Sequence, residues 1–199
     1  MRGATPRRDA RGLGLFLLLA GGLGFVAAFA LTLDKLQVLE DPTTALGCDF
    51  SLIVQCGANL SSAQGELFGF PNPLLGIVGF TAVVAVGTAL VAGAVFADWF
   101  WALFGIGLVA AQVFVVWLIA QSIFVLGTLC PWCMLVWAVT IPLFLVVTLR
   151  NAASGILRMP GGVRRASRRL LGWVLSLTLG CYLIVAVIAQ LRLDVLGYL

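Results

Sequence analysis

Five stretches of this 199-residue chain, 13–33, 74–97, 99–126, 131–149 and 170–191, are nearly unbroken runs of apolar residues. A helix needs about 20 such residues to cross the hydrocarbon of a bilayer, and each run is long enough. The chain is 62% hydrophobic and 10% charged, against about 45–50% apolar residues in an ordinary soluble domain. These features predict an all-α integral membrane protein: one membrane domain of five spans, with a loop at 34–73 and another at 150–169. The second and third runs are divided by little more than Asp98. That spacing predicts a tight antiparallel hairpin, with Trp99 and Trp101 as aromatic anchors at the membrane interface.

Charge placement orients the spans. Arg2, Arg7, Arg8, Arg11, Arg150, Arg158, Arg164, Arg165, Arg168 and Arg169 flank one side, and only Lys35 and Arg192 the other, ten cations against two. Because cytoplasmic flanks carry the Lys and Arg excess, the N-terminus and 150–169 are expected inside, and 34–73 outside. Confinement of the arginines to these flanks also argues against nucleic acid or an acidic substrate as the reason for the net charge of +4. The first run ends near "AAFA", as a secretory signal does. It is longer than the roughly 7–15 residues of a signal core, so it is read as a retained span.

Within this frame the stretch "GTLCPWCMLVW" stands out, because a Cys-x-x-Cys pair sits at the mouth of the fourth run. Proline is favoured at the first position of a helix, so Pro131 marks a helix start, with Cys130 as its N-cap and Cys133 in its first turn. Unpaired amides and the helix dipole stabilise thiolate there, which is the reactive form. Cys48 and Cys56 lie in the 34–73 loop, on the same expected side. Four of the five cysteines therefore face the compartment in which disulfides persist. Cys181, midway along the fifth run, reads as a packing residue.

Other uses of these thiols must be weighed. A disulfide closing so short a loop as Cys130–Cys133 adds little stability, so a structural staple is a poor explanation. The four cysteines could hold zinc, although Cys48 and Cys56 are spaced more widely than a usual ligand pair. Met134 follows Cys133 where c-type haem attachment needs histidine, and the chain contains none.

The set "GCDFSLIVQC", Ser61-Ser62, "PNPLLG" and "CPWC" resembles the bacterial homologues of vitamin K epoxide reductase, from the first span through the fourth. The resemblance implies a four-helix bundle around a quinone (menaquinone, ubiquinone or vitamin K), with the fifth helix outside it and an extracytoplasmic loop and short helix as a lid. It implies a multi-pass protein of the cell (inner or plasma) membrane that makes disulfides for exported proteins while reducing the quinone. Electrons would pass from a thioredoxin-like (DsbA-like) partner to Cys48 and Cys56, then to Cys130 and Cys133 through a transient Cys56–Cys130 bridge, with Cys133 the thiolate that meets the quinone. Relatives often carry a fused thioredoxin-like domain after the fifth span. The chain ends at Leu199, so the partner is expected to be a separate protein.

By the same resemblance Ser62 and Asn72 border the quinone, Asn72 as a hydrogen-bond donor. Against this, Asn72 stands between two prolines as a turn residue would, and Ser62 could simply cap a short helix. Trp137, one turn beyond Cys133, occupies a position where vertebrate members have tyrosine; an indole can stack on a quinone or donate its N–H. Ser61 and Gln64 have capping-box spacing, which predicts a short helix near Leu60, with Leu67, Phe68 and Phe70 pressed on the membrane surface. Gly21, Gly22 and Gly24 read as close helix contacts. Two alternatives remain at this point: quinone or epoxide reduction as the purpose of the same chemistry, and a non-enzymatic zinc-binding or structural membrane protein.

Overall fold

The structure, a computed structural model, describes residues 7–157 and 159–197. Arg2 and Arg158, used above to orient the chain, lie outside the described residues, and Arg7 and Arg8 are described by backbone alone. The order is α1 (Arg7–Glu40), α2 (Gly57–Leu60), a 3-10 turn (Ala63–Glu66), α3 (Pro73–Val91), α4 (Asp98–Gln121) running into a π turn (Ser122–Leu126), α5 (Pro131–Ser154), α6 (Gly161–Leu171) and α7 (Val174–Leu193). Five of these helical stretches are long and apolar enough to cross a membrane, and no strand occurs among the described residues. The protein is an all-α, multi-pass membrane protein.

Several ends differ from the apolar runs. α1 continues to Glu40, so Asp34 and Lys35 are helical rather than in the loop. α3 stops at Val91, and Gly93 takes φ 95° in the turn that follows. The fifth run does not begin at 170: Leu170 and Leu171 close α6, an arginine-rich helix, and α7 starts only after Gly172 and Trp173. Hydropathy cannot place these boundaries, because leucines at the end of a basic amphipathic helix count the same as leucines in a span.

α1, α3, α4 and α5 form the bundle. α1 packs along α3 and α5, and α4 along α5, while α3 and α4 barely touch. The expected tight hairpin of the second and third runs is therefore open, and a cavity occupies the gap. The α1–α3 seam is made by small residues that let backbones approach, the main route to helix association in lipid. A Cβ on Gly87 would lie 2.8 Å from Leu18 N and 2.9 Å from Gly14 O. Gly24 lies against the Phe80 ring and Gly21 against Val83 and Val84, but Gly22 faces open space, so only two of the three predicted glycine contacts exist. Leu17, Leu143 and Val147 are fully buried in the core. Trp101 is buried there too, with the Arg150 guanidinium 4.1 Å from its ring centroid, whereas Trp99 is exposed; only Trp99 is placed as an interfacial anchor would be.

α7 lies outside this bundle, against α5 and the π turn. Pro142, inside α5, has no N–H to give the carbonyl of Ala138. That carbonyl accepts instead from the Tyr182 hydroxyl on α7. The defect made by one proline is thus filled by the peripheral helix, as backbone groups in lipid require.

Candidate active site

At one end of the bundle, two segments far apart in the chain pair through their backbones. Leu129 N–H donates to Ile53 O at 2.7 Å and Gln55 N–H to Leu129 O at 3.0 Å, making Val54 and Leu129 a parallel bridge. Cys56 and Cys130 lie just beyond it, with their Sγ atoms 3.1 Å apart. Cys56 is bonded to Cys48, while Cys130 and Cys133 are free thiols. The carboxylate of Asp49 holds the loop in shape: Oδ1 accepts from Cys56 N–H at 2.7 Å and Gly57 N–H at 3.2 Å, and Oδ2 from Leu46 N–H at 3.2 Å. Cys48, Cys56 and Cys130 are all buried.

Local chemistry around the Cys-x-x-Cys pair follows from the helix start. Cys130 is the N-cap of α5 and Pro131 its first residue. The Cys130 thiol is held below the ordinary thiol range: the neighbouring Cys133 thiol hydrogen-bonds it, and the amides of Cys133 and Trp132 add to this, outweighing burial. Cys130 is thus disposed to ionise, and it faces Cys56. Cys133 lies one turn deeper, where it packs near Trp137 and reaches the cavity wall.

The cavity measures about 340 Å³ and opens between α3 and α4. Its walls are apolar, with Phe80, Val83, Leu108, Phe114 and Trp137 prominent, and a few polar groups cluster at the cysteine end. That composition and size fit a flat, largely hydrophobic molecule oriented by one or two polar groups. Asn72 Nδ2 donates to Gln64 O at 2.6 Å and its Oδ1 accepts from Leu67 N–H at 3.2 Å, so it braces a turn, and the residue lines the cavity. The Ser62 hydroxyl donates to Asn59 O at 2.7 Å and accepts from Gly65 N–H at 3.2 Å, so it caps the turn while the residue also lines the cavity. The short helix therefore begins at a Ser62 cap as a 3-10 turn, rather than at the predicted capping box of Ser61 and Gln64.

Lys35 and Asn59 fix this lid, and neither is marked by the sequence pattern. Lys35, almost wholly buried, donates to Leu60 O at 2.7 Å and pairs with Glu66 at 2.8 Å, tying α2 and the 3-10 turn to α1. Asn59 donates to Thr128 Oγ1 at 3.0 Å, and its Oδ1 lies 3.4 Å from Ser122 Oγ. The Ser122 hydroxyl donates to Thr128 O, so the π turn is bound into the same polar knot. Phe68 stacks against Phe70 and tilts onto Phe114, a residue of the cavity wall, which ties the segment after the 3-10 turn to α4. A lysine at a helix end and an asparagine after a cysteine carry no periodicity signal; their partners are known only once the loop has folded back.

While Cys48 and Cys56 are bonded to each other they have no thiolate to offer a metal, so the four-sulfur zinc set is not assembled in this state.

A buried disulfide touching a free Cys-x-x-Cys thiol, at the mouth of an apolar cavity in a helical bundle, is the layout of a membrane redox protein. A model of the Vitamin K epoxide reductase family matches residues 15–148, and the chain belongs to that family. It is a membrane oxidoreductase. Comparison with individually curated proteins finds no match.

Proposed function

We propose that the protein is a quinone-linked thiol-disulfide oxidoreductase, which draws electrons from a separate thioredoxin-like partner and generates disulfides for exported proteins. One observation carries the reading: Cys48, Cys56 and Cys130 form a continuous line of sulfurs that ends at Cys133 on the cavity wall. The excess of arginine at the opposite end supports an extracytoplasmic position for the cysteines, with the N-terminus in the cytoplasm.

Each transfer is attack of a thiolate on a disulfide. A partner thiolate attacks Cys48, the Cys48–Cys56 bond breaks, and Cys56 leaves as thiolate. Cys56 then attacks Cys130 in an oxidised Cys130–Cys133 pair, forming a Cys56–Cys130 bond and releasing Cys133 as thiolate. The partner's second thiolate attacks the partner sulfur of the mixed disulfide, so the partner leaves oxidised and Cys48 is freed; Cys48 attacks Cys56, the loop disulfide reforms and Cys130 leaves. The lowered pKa of Cys130 makes it the better leaving group in that last step. A loop disulfide beside a reduced Cys130 and Cys133 is the end of this sequence.

The residues around the cavity fit a quinone, which when bound supplies a sink for two electrons and two protons. Cys133 and Trp137 would flank it on α5, and Asn72 would direct its second amide hydrogen to a ring oxygen. Ser62 acts through the turn it caps. With no histidine in the chain, protons come from thiols and water. Purified protein given a dithiol and a quinone should bleach the quinone absorbance, and Cys133→Ala should abolish this. Quinone left unchanged while the protein takes up one zinc per chain would overturn the proposal.

A further inference from the structure

Asp34, on the last turns of α1, places Oδ2 3.4 Å from Cys48 Sγ. A disulfide sulfur carries no hydrogen, so in this state the contact is not a hydrogen bond. It becomes one only when Cys48 is reduced. Asp34 is half-buried, and no cation pairs with it among the described residues: the adjacent Lys35 is turned away to Leu60 O and Glu66. The titratable groups facing it, Asp49 from the loop and Cys130 from the head of α5, are both negative when ionised. Asp34, Gln37, Gly47, Cys48, Phe50 and Trp132 line an open groove of about 580 Å³, so the nearly buried Cys48 sulfur lies at the wall of a surface depression beside Asp34.

We infer that Asp34 is the proton partner of Cys48 during exchange with the external dithiol. The inference rests on the reading above, in which Cys48 is the sulfur the partner attacks. The first partner thiolate bonds to Cys48 and the electron pair of the broken bond goes to Cys56. The partner's second thiol then gives up its proton and attacks the partner sulfur of the mixed disulfide; the partner is oxidised, and the electron pair of that bond passes to Cys48. Asp34, as the acid, donates its proton to Cys48 as the sulfur leaves, while the proton of the attacking partner thiol passes to water in the groove. The carboxylate left behind accepts the Cys48 S–H hydrogen bond, so the released sulfur does not attack the partner's new disulfide; once Cys56 is bonded to Cys130, Asp34 takes that proton back and Cys48 attacks Cys56 as thiolate.

The test uses the full chain in detergent with dithiothreitol as the dithiol. Asp34→Asn should slow reduction of the Cys48–Cys56 bond by about tenfold or more and remove the carboxyl limb from its pH–rate profile, and Asp34→Glu should restore part of both. In reduced protein carrying Cys130→Ala and Cys133→Ala, alkylation of Cys48 should titrate above the ordinary thiol value of about 8.5, and Asp34→Asn should bring it down. An unchanged profile, or a Cys48 midpoint below the ordinary value in the chain with Asp34 intact, would overturn the role of Asp34, the second result without needing the Asn variant to fold. Failure of the underlying reading looks different: Cys48→Ala would then leave dithiol-to-quinone turnover intact.

Discussion

The sulfurs of Cys56 and Cys130, 74 positions apart in the chain, lie 3.1 Å from each other because the residues just before them share a backbone bridge. The Val54–Leu129 pairing sets the register, and the Asp49 carboxylate fixes the loop that carries Cys56. A double variant, Cys48→Ala with Cys133→Ala, leaves only this pair and the distant Cys181. Mild oxidation should convert it to a Cys56–Cys130 disulfide in near-complete yield, with Cys181 free, as read by peptide mapping. Intermolecular Cys181 dimers in place of that bond would contradict the geometry.

Reactivity of Cys130 should depend on pH in a definite direction. Its thiol is held below the ordinary range chiefly by the Cys133 thiol, so in reduced protein its thiolate is present at lower pH than that of an unperturbed cysteine. Alkylation should slow as pH falls through this lowered value. Cys133→Ala removes the largest cause and should move the midpoint upward, in a pH series of alkylation followed by mass spectrometry.

The lid hangs on Lys35. Replacing it with Met leaves the buried Leu60 carbonyl without its donor and the half-exposed Glu66 without its cation, at a cost of about 1–3 kcal/mol, most of it at the carbonyl. Hydrogen exchange should rise in Gly57–Leu60 and Ala63–Glu66, while the bundle helices keep their protection.

Two glycine substitutions of identical chemistry should separate cleanly. Gly87→Ala drives a Cβ into the backbone of Leu18 and Gly14, which cannot rotate away, and should destabilise the bundle by about 1–3 kcal/mol. Gly22→Ala meets nothing within 4 Å and should be neutral or stabilising by up to about 1 kcal/mol from helix propensity. Thermal unfolding in detergent reads both.

Tyr182→Phe removes the donor that fills the carbonyl freed by Pro142. A loss of about 1 kcal/mol is expected, with protease sensitivity appearing first around α7. Restoring the helix's own donor with Pro142→Ala in the same chain should recover the loss.

Much of the architecture was legible in the amino acids. Apolar runs of bilayer length can only become helices buried in lipid, and Pro131 after Cys130 can only begin one, so the five spans and the N-terminal position of the Cys-x-x-Cys pair follow from local chemistry. Where polar and apolar signals overlap, at Asp34 and Lys35 or at Leu170 and Leu171, hydropathy misplaced the ends, because it averages over residues whose neighbours differ.

The chain by itself determined which residues can carry redox chemistry: two cysteine pairs, one of them placed on a helix start that favours thiolate. Only the tertiary structure decided that α3 and α4 part around a cavity instead of closing as a hairpin, that Lys35 and Asn59 hold the lid, and that Asp34 stands beside Cys48. Propensity and periodicity act over a few residues, whereas these relationships arise when a loop folds back over the bundle and brings together groups that share no local pattern.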